Sequence, residues 1–265
     1  MRQPSGAEAF KTMRVSRQFF LSRVKMISFL NELEATTGTA KSLYIPSDLP
    51  APEVENLLGK VLDQQAIPQE LAKLAACSKT GGVIFWSPSR TLLILPPFPI
   101  TAEYFEQGYY LVEPLCSLLK RTFRIALILI RLGAYAIGLS EGENLVTSKI
   151  GTGLIHGRHK KGGSSQQRFR RHREKQVEYF LNRACGHIRE HLEPHASTVD
   201  FVVYGGAQTT ISLLRKRCTF LARFDSHILP SLSDIPEPRL AVLEKVVRRT
   251  WSSYVIEWRD DEIPV

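Results

Sequence analysis

The chain has 265 residues, which is enough for one large domain or two smaller ones with a hydrophobic core. Its 43% hydrophobic and 23% charged content is ordinary for a soluble protein, and neither a run of 18 apolar residues nor a signal-peptide pattern is present. The four cysteines lack Cys-x-x-Cys spacing, so they favour neither a zinc site nor a disulfide framework, and we expect a cytoplasmic protein.

The first half of the chain predicts a ragged basic leader over residues 1–25 and an N-terminal α+β domain over residues 26–120. Apolar spacing indicates helices at 27–33, 53–62 and 68–76, and a strand at 42–46 that a proline ends. Residues 81–86 and 90–95 flank Ser-Pro-Ser, which is typical of a β-hairpin. Residues 104–120 have a mixed pattern and are interpreted as a bridge to the next domain.

The second half predicts one domain over residues 121–258, followed by a tail at 259–265. Three strands at 124–131, 134–139 and 144–150 are joined by short glycine-containing turns, which favours an antiparallel meander. An amphipathic helix follows at 167–192, then a strand at 199–204, helices at 209–221 and 239–252, and a strand at 254–258. This succession predicts a mixed α/β (α+β) fold in which helices pack on a mixed sheet.

Most of the net charge of +9 is concentrated between residues 156 and 175, which carry eight cations and one Glu. Such a block repels itself unless a polyanion neutralises it, and a phosphate backbone is the usual polyanion. A solvated basic loop is the alternative. The predicted RNA-binding residues are Arg158, His159, Lys160, Lys161, Arg168, Arg170, Arg171, Arg173 and Lys175.

Within this block, Gly162 and Gly163 directly precede the long amphipathic helix. Paired glycines allow the backbone to approach another chain closely, and the unpaired N–H groups of a helix start favour an anion. Serines follow as candidate N-caps, and Gln166 and Gln167 then fall at or just before the first turn. Taken singly, each feature is more often a hinge or a solvated helix start, but their coincidence in one short segment predicts an active loop.

The segment Gly-Gly-Ser-Ser-Gln-Gln-Arg-Phe-Arg-Arg-His-Arg, residues 162–173, resembles the catalytic loop of class-one eukaryotic and archaeal peptide-chain release factors. In those proteins Gly-Gly-Gln precedes an Arg-Phe-x-Arg-x-Arg helix start, which residues 168–173 match. Ser164 stands where release factors carry glutamine, and the glutamines come two and three positions later. That displacement is similar to the Vms-type release-factor-like proteins, whose bacterial relatives carry Gly-Gly-x-Ser-Gln-Gln-Arg-Phe.

The resemblance implies a release-factor middle-domain fold, preceded by a smaller N-terminal domain, and a hydrolase of peptidyl-tRNA on stalled large ribosomal subunits. It assigns Gly162, Gly163, Gln166 and Gln167 to catalysis, where a glutamine that does not titrate would position water. Gln166 is the first choice for that role, with Gln167 close behind. No cofactor, metal, DNA or membrane partner is expected. Two alternatives stay open: cleavage of the tRNA acceptor end, and a non-catalytic RNA- or ribosome-binding factor.

Other candidate sites are weaker. His187, His191 and His195 are spaced by four residues, but Pro194 ends the helix before the third and no further ligand pattern completes a metal site. They are interpreted as a solvated polar face. Gly151-Thr152-Gly153 lacks the remainder of a dinucleotide fingerprint. Gly205-Gly206 is interpreted as clearance for the packing of a helix.

Overall fold

The computed structural model describes residues 13–34, 39–62, 69–155 and 164–260, without the side chains of 13, 14, 164–166 and 260. These residues divide into two compact units, the first within Met1–Lys120 and Trp251–Val265 and the second at Arg121–Thr250. The mixed α/β class predicted from the sequence is confirmed, because both units combine a sheet with helices.

The first unit is built on a six-stranded antiparallel sheet in the order β1-β10-β4-β3-β2-β5. Its strands are β1 Met13–Leu21, β2 Lys41–Ile45, β3 Gly82–Ser87, β4 Arg90–Leu95, β5 Tyr104–Gln107 and β10 Ser253–Asp260. Its helices are α1 Arg23–Glu34, α2 Ala51–Val61, α3 Gln69–Cys77 and α4 Glu113–Lys120.

Both faces of this sheet are covered, since successive side chains of a strand point to opposite faces. Val83 and Phe85 join a cluster with residues of α1 and α4, whereas Ile84 and Trp86 join a second cluster with residues of α2 and α3. The central strands therefore read as continuous apolar runs.

Three boundaries differ from the sequence predictions. Residues 13–25 do not form a leader, because β1 pairs with β10 along the edge of the sheet and α1 begins at Arg23. Residues 104–120 are not a bridge, since they supply β5 and α4 to the first unit. β10 belongs to the sheet of the first unit and not to the domain predicted at 121–258, so the first unit is no smaller than the second.

The second unit contains a four-stranded sheet in the order β8-β7-β6-β9. The predicted meander is confirmed as β6 Arg124–Arg131, β7 Ala134–Glu141 and β8 Asn144–Thr152, which pair antiparallel, while β9 Phe201–Gly205 runs parallel to β6. The helices are α5 Ser164–Leu192, α6 Gln208–Arg217 and α7 Leu240–Thr250, with a 3-10 segment at Thr219–His227 where the sequence predicted more of α6.

The main core of this unit lies between one face of the sheet and the helices α5 and α6. Ala126, Ile128 and Ile130 of β6 share this cluster with Phe180 and Ile188 of α5. On the sheet, Gly138 lies so close to the Leu243 side chain of α7 that an added Cβ would come within 2.8 Å of it. Gly206, with φ of 121°, lies against the backbone of Ile130 in β6, so the clearance that this glycine provides is to a strand and not, as predicted, to a helix.

A disulfide joins Cys185 of α5 to Cys218, the residue after α6, across 33 positions of the chain. The sequence did not favour disulfides, because two cysteines that far apart produce no local spacing signal. The bond ties the second half of α5 to the end of α6, and Cys218 is fully buried.

We predict that reduction of this disulfide lowers the free energy of unfolding by about 2–4 kcal/mol, because it releases a constraint on the unfolded chain. Urea denaturation with and without dithiothreitol measures the effect. A Cys185→Ser/Cys218→Ser variant should no longer respond to the reductant, and Cys77→Ser, at an exposed free cysteine, should respond like the wild type. A wild-type transition that is the same in both buffers would contradict the prediction.

Candidate active site and nucleic-acid interface

The predicted active loop lies at the start of α5. Residues 156–163 are outside the described part of the chain, so Gly162, Gly163 and the predicted RNA-binding residues 158–161 are not located. The backbone at Gln166 and Gln167 is helical, which puts both residues in the first turn of α5. The side chain of Gln167 is exposed, whereas that of Gln166 is outside the description.

The first half of α5 has a cationic and exposed surface. Arg168, Arg170, Arg171 and Lys175 are exposed and Arg173 is half-buried. Phe169 keeps 55% of its surface exposed, and Arg170 makes an exposed ion pair with Glu174 at 3.7 Å. No side chain from Gln167 to Tyr179 is fully buried. This half of the helix therefore contributes little to the core of its own unit.

The second half of α5 anchors the helix. The predicted apolar stripe is confirmed: its buried residues are Phe180, Leu181, Ala184, Ile188 and Leu192. The ring of Phe180 lies 5.7 Å from that of Tyr135 on β7, and Gly153 lies so close to Phe180 that a Cβ would come within 2.7 Å. At the end of this half, the His191 ring contacts the Thr147 hydroxyl of β8 at 3.3 Å.

His187 and His191 lie on a partly solvated face of α5, and each contacts a polar side chain. His187 and His191 are both half-buried, and His187 Nδ1 lies 3.0 Å from Glu190. Within the described ranges, no group of three or more His, Cys, Asp or Glu residues has a metal-binding arrangement. The same part of the chain contains no helix with the length and apolar character needed to cross a membrane.

The charge of the protein is divided unevenly between the two units. Residues 121–250 contain 22 Lys and Arg against 11 Asp and Glu, whereas the rest of the chain contains 13 against 15. All of the excess positive charge thus belongs to the unit that contains α5. Such an asymmetry favours binding of a polyanion on this unit.

A surface cleft of about 380 Å³ lies where the chain leaves β8 and passes α5. Gly153 and Leu154 line one side. One face of α5 lines the other, with His172, Lys175, Gln176, Tyr179, Phe180 and Arg183. Burial raises the pKa of Tyr135 beneath this region, and the charge and hydrogen bond of Arg183 oppose that rise.

Sequence reasoning missed the residues Leu154, Tyr179 and Arg183 of this cleft. Tyr179 carried a usable signal, since it is a large aromatic residue outside the apolar stripe of α5. Its side chain is 70% exposed, and that of Leu154 is 77% exposed. Leu154 carried none, because only the fold brings the end of β8 beside α5.

Comparisons with known proteins find archaeal release factors among the relatives of this chain. Peptide chain release factor subunit 1 of Aeropyrum pernix is 25% identical over 210 residues, covering 69% of this chain and 56% of that protein. The corresponding protein of Archaeoglobus fulgidus is also 25% identical over 210 residues, covering 68% and 52%. The chain therefore spans about half the length of these relatives.

The solved structure of the archaeal translation termination factor aRF1 is similar at 19% identity and a TM-score of 0.39, over 87% of this chain and 73% of that one. A family model described as the Actinobacteria/chloroflexi VLRF1 release factor matches residues 123–256, half of the chain. That range contains the complete helix α5 and the sheet to which it is anchored. The chain belongs to this VLRF1 release-factor family.

Proposed function

We propose that this protein hydrolyses the ester of peptidyl-tRNA and so frees nascent chains on stalled large ribosomal subunits, as a step of ribosome quality control in the cytoplasm. The observation that carries the proposal is the division of α5 into a buried half and an exposed half. Its second half is fixed in the core, while its first half presents cations and the exposed Gln167. Membership of a release-factor family supports the same activity.

Glutamine suits a positioning role in this reaction. Its amide does not titrate near neutral pH, but its oxygen accepts a hydrogen bond from water and its nitrogen donates one. In the proposed step the water oxygen bonds to the peptidyl carbonyl carbon, the ester C–O bond breaks, and a proton passes to the departing ribose oxygen. The first N–H groups of α5, which have no partner within the helix itself, favour the negative charge that develops on the carbonyl oxygen. Gln166 and Gln167 both remain candidates.

The flanking cations are proposed to hold the RNA. Each phosphate contact releases counterions, so the affinity should fall as salt rises, with a slope proportional to the number of contacts. The proposed contact residues are Arg158, His159, Lys160, Lys161, Arg168, Arg170, Arg171, Arg173 and Lys175. Glycine at 162 and 163 would allow the loop to approach the RNA backbone closely.

We predict that replacing Arg168, Arg170 and Arg171 with Gln reduces the slope of log K against log salt by about 2–3, since each phosphate contact contributes about 0.7–0.9. The affinity for RNA is measured by fluorescence anisotropy over a range of salt concentrations. The matched control removes three exposed cations from the same unit, Lys216, Arg239 and Lys245. Equal slopes for the two triple variants would contradict the proposed interface.

Product analysis tests the activity itself. The full chain is incubated with large ribosomal subunits that carry peptidyl-tRNA, and the peptide and RNA products are resolved separately. Ester hydrolysis predicts a free peptide and a full-length tRNA that retains its 3′ end. A tRNA shortened at its acceptor end would overturn hydrolysis in favour of cleavage. Salt-sensitive binding without any product would overturn it in favour of a non-catalytic factor.

A further inference from the structure

We propose that the cleft beside α5 binds one unpaired RNA nucleotide, with its base against Tyr179 and Leu154 and its phosphate against Lys175 and Arg183. The inference extends the proposed function and rests on it only for the identity of the RNA. It assigns to α5 a second RNA contact, beyond the active loop, that shares Lys175 with the cationic surface proposed above.

The size and shape of the cleft fit a single nucleotide. Its volume of about 380 Å³ lies at the lower end of the range of small-ligand sites. His172, Lys175, Tyr179 and Arg183 recur every three or four residues, so they line one face of α5, opposite the end of β8. A cleft of this size has room for one nucleotide, and single-stranded RNA is the form that offers an unpaired base.

The apolar surface of the cleft is suited to stacking. Tyr179 and Leu154 are 70% and 77% exposed, whereas the neighbouring Phe180 is 1% exposed. Phe180 fixes the helix at this position, so the adjacent Tyr179 ring is presented from a rigid support. Unpaired bases are commonly recognised by stacking on aromatic side chains, and every base has a face that can stack.

Cations on the same face favour a nucleotide over an uncharged ligand. Lys175 is exposed, and Nη2 of Arg183 lies 3.6 Å from the position that a Cβ on Gly153 would take. Nε of Arg183 is buried and has no hydrogen-bond partner in the described part of the chain, although the same side chain also makes a hydrogen bond with Tyr135. A phosphate oxygen is the acceptor that a guanidinium group binds best.

The position along α5 separates this contact from the active loop. Tyr179 comes 15 residues after Ser164, the first residue of the helix, which corresponds to about 22 Å along the axis. One nucleotide cannot span that distance. The cleft would therefore hold a different part of the RNA and fix the direction in which α5 points.

Binding to labelled RNA tests the proposal directly. The full chain is titrated against a short single-stranded RNA and against a duplex of the same length, with fluorescence anisotropy as the readout. Tyr179→Ala is expected to weaken single-strand binding by about 5- to 150-fold, the usual range for loss of a stacked base, and to leave duplex binding nearly unchanged.

Two control variants make the result interpretable. Tyr179→Phe keeps the ring and should bind single strands like the wild type. Tyr109→Ala removes an exposed tyrosine from the first unit and should change nothing. If Tyr179→Ala binds single strands with wild-type affinity, or loses equal affinity for single strand and duplex, the proposed nucleotide site is overturned. Loss in Tyr179→Phe equal to that in Tyr179→Ala would also overturn it, since stacking does not need the hydroxyl.

Crosslinking identifies which RNA fills the cleft. A photoreactive benzoylphenylalanine at position 179 is irradiated in the presence of large subunits that carry peptidyl-tRNA. A crosslink to tRNA or to ribosomal RNA supports the proposal and names the source, whereas a crosslink to ribosomal protein alone overturns it. Peptide release measured on the same samples separates the two proposals. RNA binding that depends on Tyr179, without peptide release, would reject only the proposed hydrolase activity. Peptide release together with unchanged RNA binding by Tyr179→Ala would reject only the proposed nucleotide site in the cleft.

Discussion

Replacing Gln166 and Gln167 together with Ala is expected to slow peptide release by about 100-fold or more, because the water that attacks the ester loses its positioning group. RNA affinity should be unchanged, since the flanking cations remain. The measurement is the rate of peptide release from large subunits that carry peptidyl-tRNA, under single-turnover conditions.

Folding should survive this change. The first half of α5 has no fully buried side chain from Gln167 to Tyr179, and substitutions at such positions usually change stability by no more than about 0.5 kcal/mol. Gln208→Ala is the matched control, because Gln208 is an exposed glutamine in the first turn of α6. Wild-type release by the double variant would reject the catalytic assignment. If the double variant is slow, the two single variants show which amide positions the water.

The second large effect is expected from Phe180→Ala, which should lower the free energy of unfolding by about 3–5 kcal/mol. Phe180 is 1% exposed and lies between Tyr135 and Gly153, so its removal leaves a cavity where α5 meets the sheet. Urea denaturation followed by far-ultraviolet circular dichroism measures the loss. All three tryptophans belong to the first unit, so their fluorescence reports on that unit separately.

The adjacent residue provides the control for Phe180. Tyr179→Ala removes a side chain of similar size that is 70% exposed, and it should change stability by about 0.5 kcal/mol or less. Equal losses for the two variants would contradict the division of α5 into an anchored half and an exposed half. We also expect Phe180→Ala to slow peptide release although both glutamines are intact, because the helix that presents them is no longer fixed.

Local patterns in the sequence predicted the elements around the site well. The strands β6, β7 and β8 follow from apolar runs separated by glycine turns, and α5 follows from apolar residues at spacings of three and four. Both signals depend only on residues that are near one another in the chain. The loop motif of residues 162–173 pointed to the release-factor relationship that the family match confirms.

Boundaries that depend on distant partners were predicted wrongly. Residues 13–25 look like a leader because their charges hide an alternating pattern, and they become a strand through pairing with β10, near the other end of the chain. β10 itself looked like part of the second domain because it follows α7 directly. Strand formation depends on its neighbours in the sheet, which a local pattern does not contain.

The amino-acid sequence alone was sufficient to identify the family, the long amphipathic helix and the concentration of positive charge, because each is a property of neighbouring residues. Folding decided the rest: the pairing of β1 with β10, the Cys185–Cys218 bond, and the cleft between Leu154 and Tyr179. Each of these joins residues that are far apart in the chain. Their proximity arises only when the apolar surfaces of the sheets and helices are buried together.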